Sequence, residues 1–141
     1  PQIFPALSRQ LGTWDGEFHR VGPEGDTLDR FPTRITARLD EDGTYHQINT
    51  YNPDTPDARS IVSQGRVEGC HLVFENDRIS GQAFDIDANT SVFTFAFPNG
   101  QEVREIVSLS PDGRNRHRAT QYLSDGILVR RTLINERKVQ K

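Results

Sequence analysis

This chain of 141 residues is poor in apolar residues, contains one cysteine and has no long hydrophobic run. Apolar residues make up 33% of it, and its mean hydropathy is -0.69. Because Cys70 has no second cysteine to pair with, an internal disulfide framework is excluded, which fits a reducing compartment. No apolar stretch approaches the roughly 18 residues that span a bilayer, and no secretory signal is visible. We therefore expect a cytoplasmic protein without a membrane span.

The sequence also lacks the motifs of several common functions. Its net charge is -3 with both signs interspersed, so no basic face indicates nucleic-acid binding. It contains no glycine-rich phosphate loop, nucleophile elbow or paired zinc motif. The four histidines fall on four different predicted strands without ligand spacing, so we predict no metal site and no cofactor. Nothing near Cys70 would activate its thiol, and we predict that it is buried and structural.

What the sequence does contain is a succession of segments that alternate between apolar and polar residues, as strands do. Ten strands are predicted: Thr13–Val21, Leu28–Leu39, Thr44–Tyr51, Arg59–Val67, Cys70–Asn76, Ile79–Ile86, Ser91–Phe97, Glu102–Leu109, Asn115–Leu123 and Ile127–Arg137. Dipeptides such as Asp42-Gly43 and Asp125-Gly126 separate them and are typical of hairpin turns. The pattern predicts one all-β domain over residues 1–141, an up-and-down antiparallel barrel with a short helical cap within residues 1–10.

Three stretches carry a family resemblance: residues 11–20, with Leu11-Gly12-Thr13-Trp14, residues 74–81 and residues 131–136. They resemble the calycins, which include lipocalins, fatty-acid-binding proteins, nitrobindins and S-type phycobilin lyases. They are most similar to a calycin-like family of unknown function known mainly from cyanobacteria. The resemblance implies a barrel with an internal cavity and Trp14 as its floor. It also implies a basic residue of the last strand packed over Trp14, for which we prefer Arg137 to Arg131.

Nitrobindins use a histidine on a late strand to ligate haem iron. This sequence has Asn135 and no histidine in its last strand, which argues against that role.

Polar residues within the alternating strands are the candidates for function. Gln47 shares a face with Tyr45, Gln121 with His117, and both Glu105 and Arg131 share theirs with valines. A charged residue on an apolar face is costly unless it is paired or meets a ligand. We therefore predict that a small hydrophobic or amphipathic molecule binds inside the barrel. The predicted ligand-binding residues are Tyr45, Gln47, Phe74, Phe95, Glu105, Gln121 and Arg131.

Other interpretations stay open. The same cavity could serve an isomerase, cyclase or chromophore lyase, with Glu105 or His117 transferring the proton. The barrel could instead be packed solid, as an interaction domain, with Glu105 paired to Arg131 or Arg104. The basic side chains of Arg114, Arg116 and Arg118 share one side of a strand, which we predict to be solvated. A homodimer is left open.

Overall fold

The chain forms a closed barrel of ten antiparallel strands, seen in a computed structural model that describes residues 4–139. The elements are α1 (Pro5–Arg9), β1 (Gly12–Val21), β2 (Thr27–Leu39), β3 (Thr44–Tyr51), β4 (Arg59–Glu68), β5 (His71–Glu75), β6 (Ser80–Asp87), β7 (Thr90–Ala96), β8 (Gln101–Leu109), β9 (Asn115–Ser124) and β10 (Ile127–Lys138). Each strand pairs with the next, and β10 returns to pair with β1. The predicted up-and-down barrel is confirmed. Residues 1–3 of the predicted cap lie outside the described residues.

The turn chemistry explains why consecutive strands pair. At the β9–β10 hairpin, Asp125 and Gly126 both adopt left-handed backbone conformations, with φ of 51° and 82°. A two-residue hairpin turn of type I′ needs positive φ at both central positions, which Asp-Gly supplies at low cost. The even spacing of these turns therefore gives a meander, and closure of the meander removes its two outer edges.

Trp14 and the N-terminal helix close one end of the barrel. The Trp14 side chain is fully buried, and its Nε1 donates to the carbonyl oxygen of Gln10 at 3.0 Å. Two cations lie over the indole, with Arg116 Cζ at 4.7 Å and Lys138 Nζ at 5.5 Å from a ring centroid. Arg137, the residue that we predict for this position, is instead exposed on the outer face. Strand β10 does supply a cation over Trp14, but that cation is Lys138, whose side chain lies on the inner side.

Glycines make room for large rings in the wall. A Cβ at Gly65 would lie 3.0 Å from the Phe74 ring, and one at Gly81 would lie 2.5 Å from the Phe95 ring. Gly81 pairs with Phe74 on one side and with Phe95 on the other. Glycine and phenylalanine therefore alternate across β4 to β7, and each ring extends over a neighbouring glycine.

The number of paired residues between neighbouring strands varies around the barrel. Only Arg66, Val67 and Glu68 of β4 pair with β5, at the end of the barrel near the helix. Within the described part of the chain, residues 59–65 of β4 have no strand partner on that side, although they pair with β3 on the other. Ile61 and Val62 are 49% and 68% exposed along this stretch. The wall therefore has a side opening next to β4.

Cys70 lies in the turn before β5 and is exposed, so the prediction of a buried thiol is wrong. Turn residues project away from the core, and the strand begins one residue later than predicted. Among residues 4–139, no helix has the length and apolar character needed to cross a membrane.

Candidate functional site

A cavity of about 470 Å³ occupies the barrel and opens at the end opposite the helix. Its mouth is formed where β3, β7 and β9 end and where β4, β8 and β10 begin. The residues that line it are Phe18, Gln47, Asn49, Tyr51, Ile61, Val62, Ser63, Phe74, Asn76, Arg78, Ile79, Phe93, Phe95, Phe97, Val103, Glu105, Arg118, Thr120, Tyr122 and Arg130. The interior is thus not packed solid.

One wall of the cavity is aromatic. Phe74 lies edge-on to Phe95 with 5.3 Å between the ring centroids, and Phe93 lies 6.4 Å from both. Phe18 and Tyr51 pack together on the opposite side at 5.2 Å. These five rings come from four different strands, so the cavity presents broad apolar surfaces to whatever occupies it.

Strand β3 contributes a hydrogen-bonded row of polar side chains. Tyr45 Oη donates to Gln47 Oε1 at 2.7 Å, and Gln47 Nε2 donates to Asn49 Oδ1 at 2.9 Å. Burial raises the pKa of Tyr45 to about 12, so its hydroxyl keeps its proton at neutral pH and remains a donor. The row fixes the orientation of both amides and places them toward the cavity.

Facing this row, two arginines and two glutamates form a buried cluster. Arg118 donates through Nε to Glu136 Oε1 at 2.9 Å and through Nη1 to Glu105 Oε2 at 3.5 Å. Arg116 Nε donates to the same Glu136 oxygen at 2.7 Å, and Thr120 Oγ1 donates to Glu105 Oε2 at 2.7 Å. The formal charges of the cluster sum to zero, which is what makes its burial tolerable.

The protonation states of the cluster follow from its charges. Burial alone would raise the pKa of Glu136, but the guanidinium groups of Arg118 and Arg116 outweigh it and hold that pKa below its ordinary value. Burial would likewise lower the pKa of Arg118, but the carboxylates of Glu136 and Glu105 raise it. Glu136 and Arg118 are therefore both charged at neutral pH.

The cluster connects to the helical cap through hydrogen bonds. Arg116 Nη1 donates to Gln10 Oε1 at 3.4 Å, and Gln10 Nε2 donates to Ser91 Oγ at 2.9 Å. Ser91 Oγ donates in turn to Asp85 Oδ1 at 2.7 Å, and Asp85 accepts the backbone N–H of Ala6 at 2.8 Å. The cap is thereby held by the same network that fixes Glu105 at the cavity wall.

Some of the sequence-predicted site residues come together and others do not. Gln47, Phe74, Phe95 and Glu105 line the cavity, and Tyr45 is buried just below it. Gln121 and His117 are exposed on the outer face of β9, where His117 Nδ1 contacts Asn135 Oδ1 at 2.7 Å.

Arg131 pairs with exposed Gln121 and shares the outer face of β10 with Leu133. The structure therefore reverses the face assignment for β9 and β10. The inner residues of β9 are Arg116, Arg118 and Thr120, whose polarity is offset by the facing glutamates. The prediction that this arginine run is solvated is wrong for Arg116 and Arg118, which are 4% and 7% exposed.

The cavity residues that the sequence reasoning did not select include four polar ones on β9 and β10: Arg118, Thr120, Tyr122 and Arg130. The alternation Arg116-x-Arg118-x-Thr120-x-Tyr122 shows that the β9 residues share a face. The opposite face of β9 carries the apolar residues, which indicated that it was the internal one. In the described part of the chain, no three His, Cys, Asp or Glu side chains lie together as a metal site.

The model of a protein family described as a domain of unknown function (DUF3598), N-terminal, matches residues 3–141. The chain is a member of the DUF3598 family. A solved DUF3598 protein of unknown function from Nostoc punctiforme PCC 73102 is 22% identical to it, with a TM-score of 0.77. That match covers 99% of this chain and 49% of the other, so the present chain spans about half the length of that relative.

Two further structures share the fold with this DUF3598 chain. The S-type phycobiliprotein lyase CPES from Guillardia theta is 11% identical, with a TM-score of 0.74 and coverage of 96% of this chain and 91% of that one. The barrel EF1p2_mFAP2b, solved bound to DFHBI, is 11% identical with a TM-score of 0.50, covering 99% and 100%. No curated protein sequence matches the chain. The family match and these structures confirm the resemblance to calycin-like barrels.

Proposed function

We propose that this chain binds a small hydrophobic or amphipathic molecule inside the barrel. The observation that carries the proposal is the open cavity of about 470 Å³. This volume falls within the range of roughly 300–1,000 Å³ that is typical of small-molecule sites. Aromatic rings would contact the apolar body of the ligand, and a few fixed polar groups would orient it.

Glu105 offers one specific contact for such a ligand. Its hydrogen bonds to Thr120 and Arg118 both reach Oε2. Among residues 4–139, no group donates a hydrogen bond to Oε1, which leaves that oxygen for a hydroxyl or N–H of the ligand. Gln47 faces the same space with its amide held by its neighbours on β3. A ligand with a donor group on an otherwise apolar body would fit both walls.

The similar structures support this use of the fold. One of them was solved bound to DFHBI, and another is a phycobiliprotein lyase. Barrels of this shape therefore serve proteins that handle small molecules, and the present cavity has the size to do the same.

Binding can be tested with 1-pyrenebutanol, a neutral apolar probe whose emission reports the polarity of its surroundings. We expect saturable binding that is weakened at least about tenfold by Val103→Trp, which places an indole at the cavity mouth. The matched control is Leu133→Trp, which adds the same group to the outer face and should bind as the wild type does. Absence of saturable binding, or equal binding by both variants, would refute the proposal. Native mass spectrometry of protein purified from its own host would identify a retained ligand.

Proton transfer in the same cavity is the second candidate function, and the position of Glu105 favours it. His117 lies outside the barrel, so Glu105 is the candidate that remains. In such an enzyme, Glu105→Gln would still bind the molecule recovered from the host. The Glu105→Gln variant would not convert that molecule, so its chromatographic retention time would stay the same. The wild type would convert it, and the retention time would change.

A further inference from the structure

Two cations at the cavity mouth have no acidic partner among the described residues. Three arginines line the cavity, and of these Arg118 is paired with Glu136 and Glu105. Within residues 4–139, neither Arg78 nor Arg130 forms an ion pair. We propose that the ligand is an organic carboxylate and that Arg130 binds its acid group at the mouth. This inference rests on the proposed function and specifies the class of ligand.

The backbone directs Arg130 toward the cavity. The pairing of β10 with β9 shifts after Leu128, so that Leu128 lies opposite Leu123 and Arg130 opposite Tyr122. Val129 is therefore the extra residue of a β-bulge. Bulges change the direction of nearby side chains and are frequent next to functional sites. Here the bulge turns Arg130 inward beside the rim.

The guanidinium of Arg130 is held in place but is not saturated. Its Cζ lies 4.1 Å from the centroid of the Tyr122 ring, which fixes the cation against an aromatic face. Its Nε is buried and has no hydrogen-bond partner among the described residues. A guanidinium that stacks through its face keeps its N–H groups free in the plane. A carboxylate accepts two such parallel hydrogen bonds, which would satisfy Nε.

The nearby carboxylates are already occupied. Asp29, whose pKa is held low chiefly by hydrogen bonding with Arg20 and further by Arg130, accepts from Arg20 Nε at 2.8 Å and from Nη2 at 2.6 Å. Glu102, which lines the recess beside Arg130, pairs with Arg104 at 3.2 Å. Arg130 is thus left for an acid from outside the chain.

This arrangement also sets the direction of the ligand. The deep cation, Arg118, already has two carboxylate partners, so an acid group gains little by entering first. The rim offers Arg130 with an unpaired donor and Arg78 as a second positive charge. The apolar end would therefore point toward Phe74 and Phe93, with the carboxylate at the mouth.

The test compares 1-pyrenebutanoic acid with 1-pyrenebutanol, which share an apolar body and differ in the acid group. We expect the wild type to bind the acid about tenfold more tightly, as one charge-assisted pair of hydrogen bonds provides. Arg130→Gln should remove most of this preference, so that the acid binds at most about threefold more tightly than the alcohol. Arg78→Gln, which removes a charge without a directed contact, should reduce the preference about threefold. Arg131→Gln makes the same charge change on the outer face and should have no effect.

Each outcome bears on a different claim. Equal binding of acid and alcohol by the wild type, or equal loss of acid binding in Arg130→Gln and Arg131→Gln, would overturn the carboxylate proposal. Failure of the wild type to bind the alcohol would instead contradict the cavity function itself. Alcohol binding also shows that each variant is folded, because it requires an intact cavity.

Discussion

The guanidinium of Arg116 lies over the indole of Trp14, and through Nε it also donates to Glu136 at 2.7 Å. One side chain therefore joins the floor of the barrel to the buried cluster of arginines and glutamates. The stacking explains how an arginine that is 4% exposed is accommodated beside the only Trp of the chain. It also makes the fluorescence of Trp14 a direct reporter of this cluster.

Loss of the Glu136 carboxylate should destabilise the barrel strongly. In Glu136→Gln, Arg116 and Arg118 would keep buried charges without the carboxylate they share, at an expected cost of about 3–5 kcal/mol. Urea unfolding followed by Trp14 fluorescence measures this change. The matched control, Glu17→Gln, removes a carboxylate from the exposed pair with Arg30 and should cost less than about 1 kcal/mol. Similar losses in both variants would contradict the importance of the buried cluster.

The same residue predicts how stability depends on pH. Because the folded pKa of Glu136 lies below its ordinary value of 4.5, its contribution is fully present above that pH. The contribution is lost as the pH falls through the lower folded pKa. Between these values the wild type should lose stability more steeply on acidification than Glu136→Gln does. Parallel pH profiles of the two proteins would show that the carboxylate is not stabilised by its neighbours.

Gly81→Ala should destabilise the wall of the cavity by about 1–3 kcal/mol. A methyl group there would meet the Phe95 ring at 2.5 Å and also the backbone carbonyl of Thr94, which cannot move without breaking strand pairing. Thermal unfolding measures the effect. The neighbouring exposed residue provides the control, because Ser80→Ala should change stability by less than about 0.5 kcal/mol. An unchanged melting temperature for Gly81→Ala would mean that the ring has room to shift.

Cys70 should react with a thiol reagent in the folded protein. Because the side chain is exposed in a turn, one equivalent of 5,5′-dithiobis(2-nitrobenzoic acid) should be consumed without denaturant. Cys70→Ser should consume none. Reaction of the wild type only after unfolding would show that the turn is covered.

The strands and turns of this fold could be predicted from the sequence because alternation and Asp-Gly dipeptides are local signals. Which face of β9 and β10 points inward could not. At the Asp125-Gly126 turn, Ser124 lies opposite Ile127. If the strands paired regularly from there, Arg116 would lie opposite Asn135. The bulge at Val129 shifts this register by one residue and brings Glu136 opposite Arg116 instead.

The candidate site was predictable to a similar extent. On β3 and β8 the polar residues share a face with apolar ones, and Gln47 and Glu105 do line the cavity. On β9 the inner face carries two arginines, and their burial is tolerated only because glutamates from two other strands pair with them. That compensation is a long-range property and leaves no local pattern.

The ten strands form one ring, but neighbouring strands share different numbers of paired residues. β4 is joined to β5 through three residue pairs and β5 to β6 through four, whereas every other neighbouring pair shares seven or more. β5 is therefore the strand whose outward displacement breaks the fewest backbone hydrogen bonds, which is one part of the free energy of local opening. A guest wider than the resting cavity would therefore enlarge the ring at this strand, while the end around Trp14 keeps its diameter.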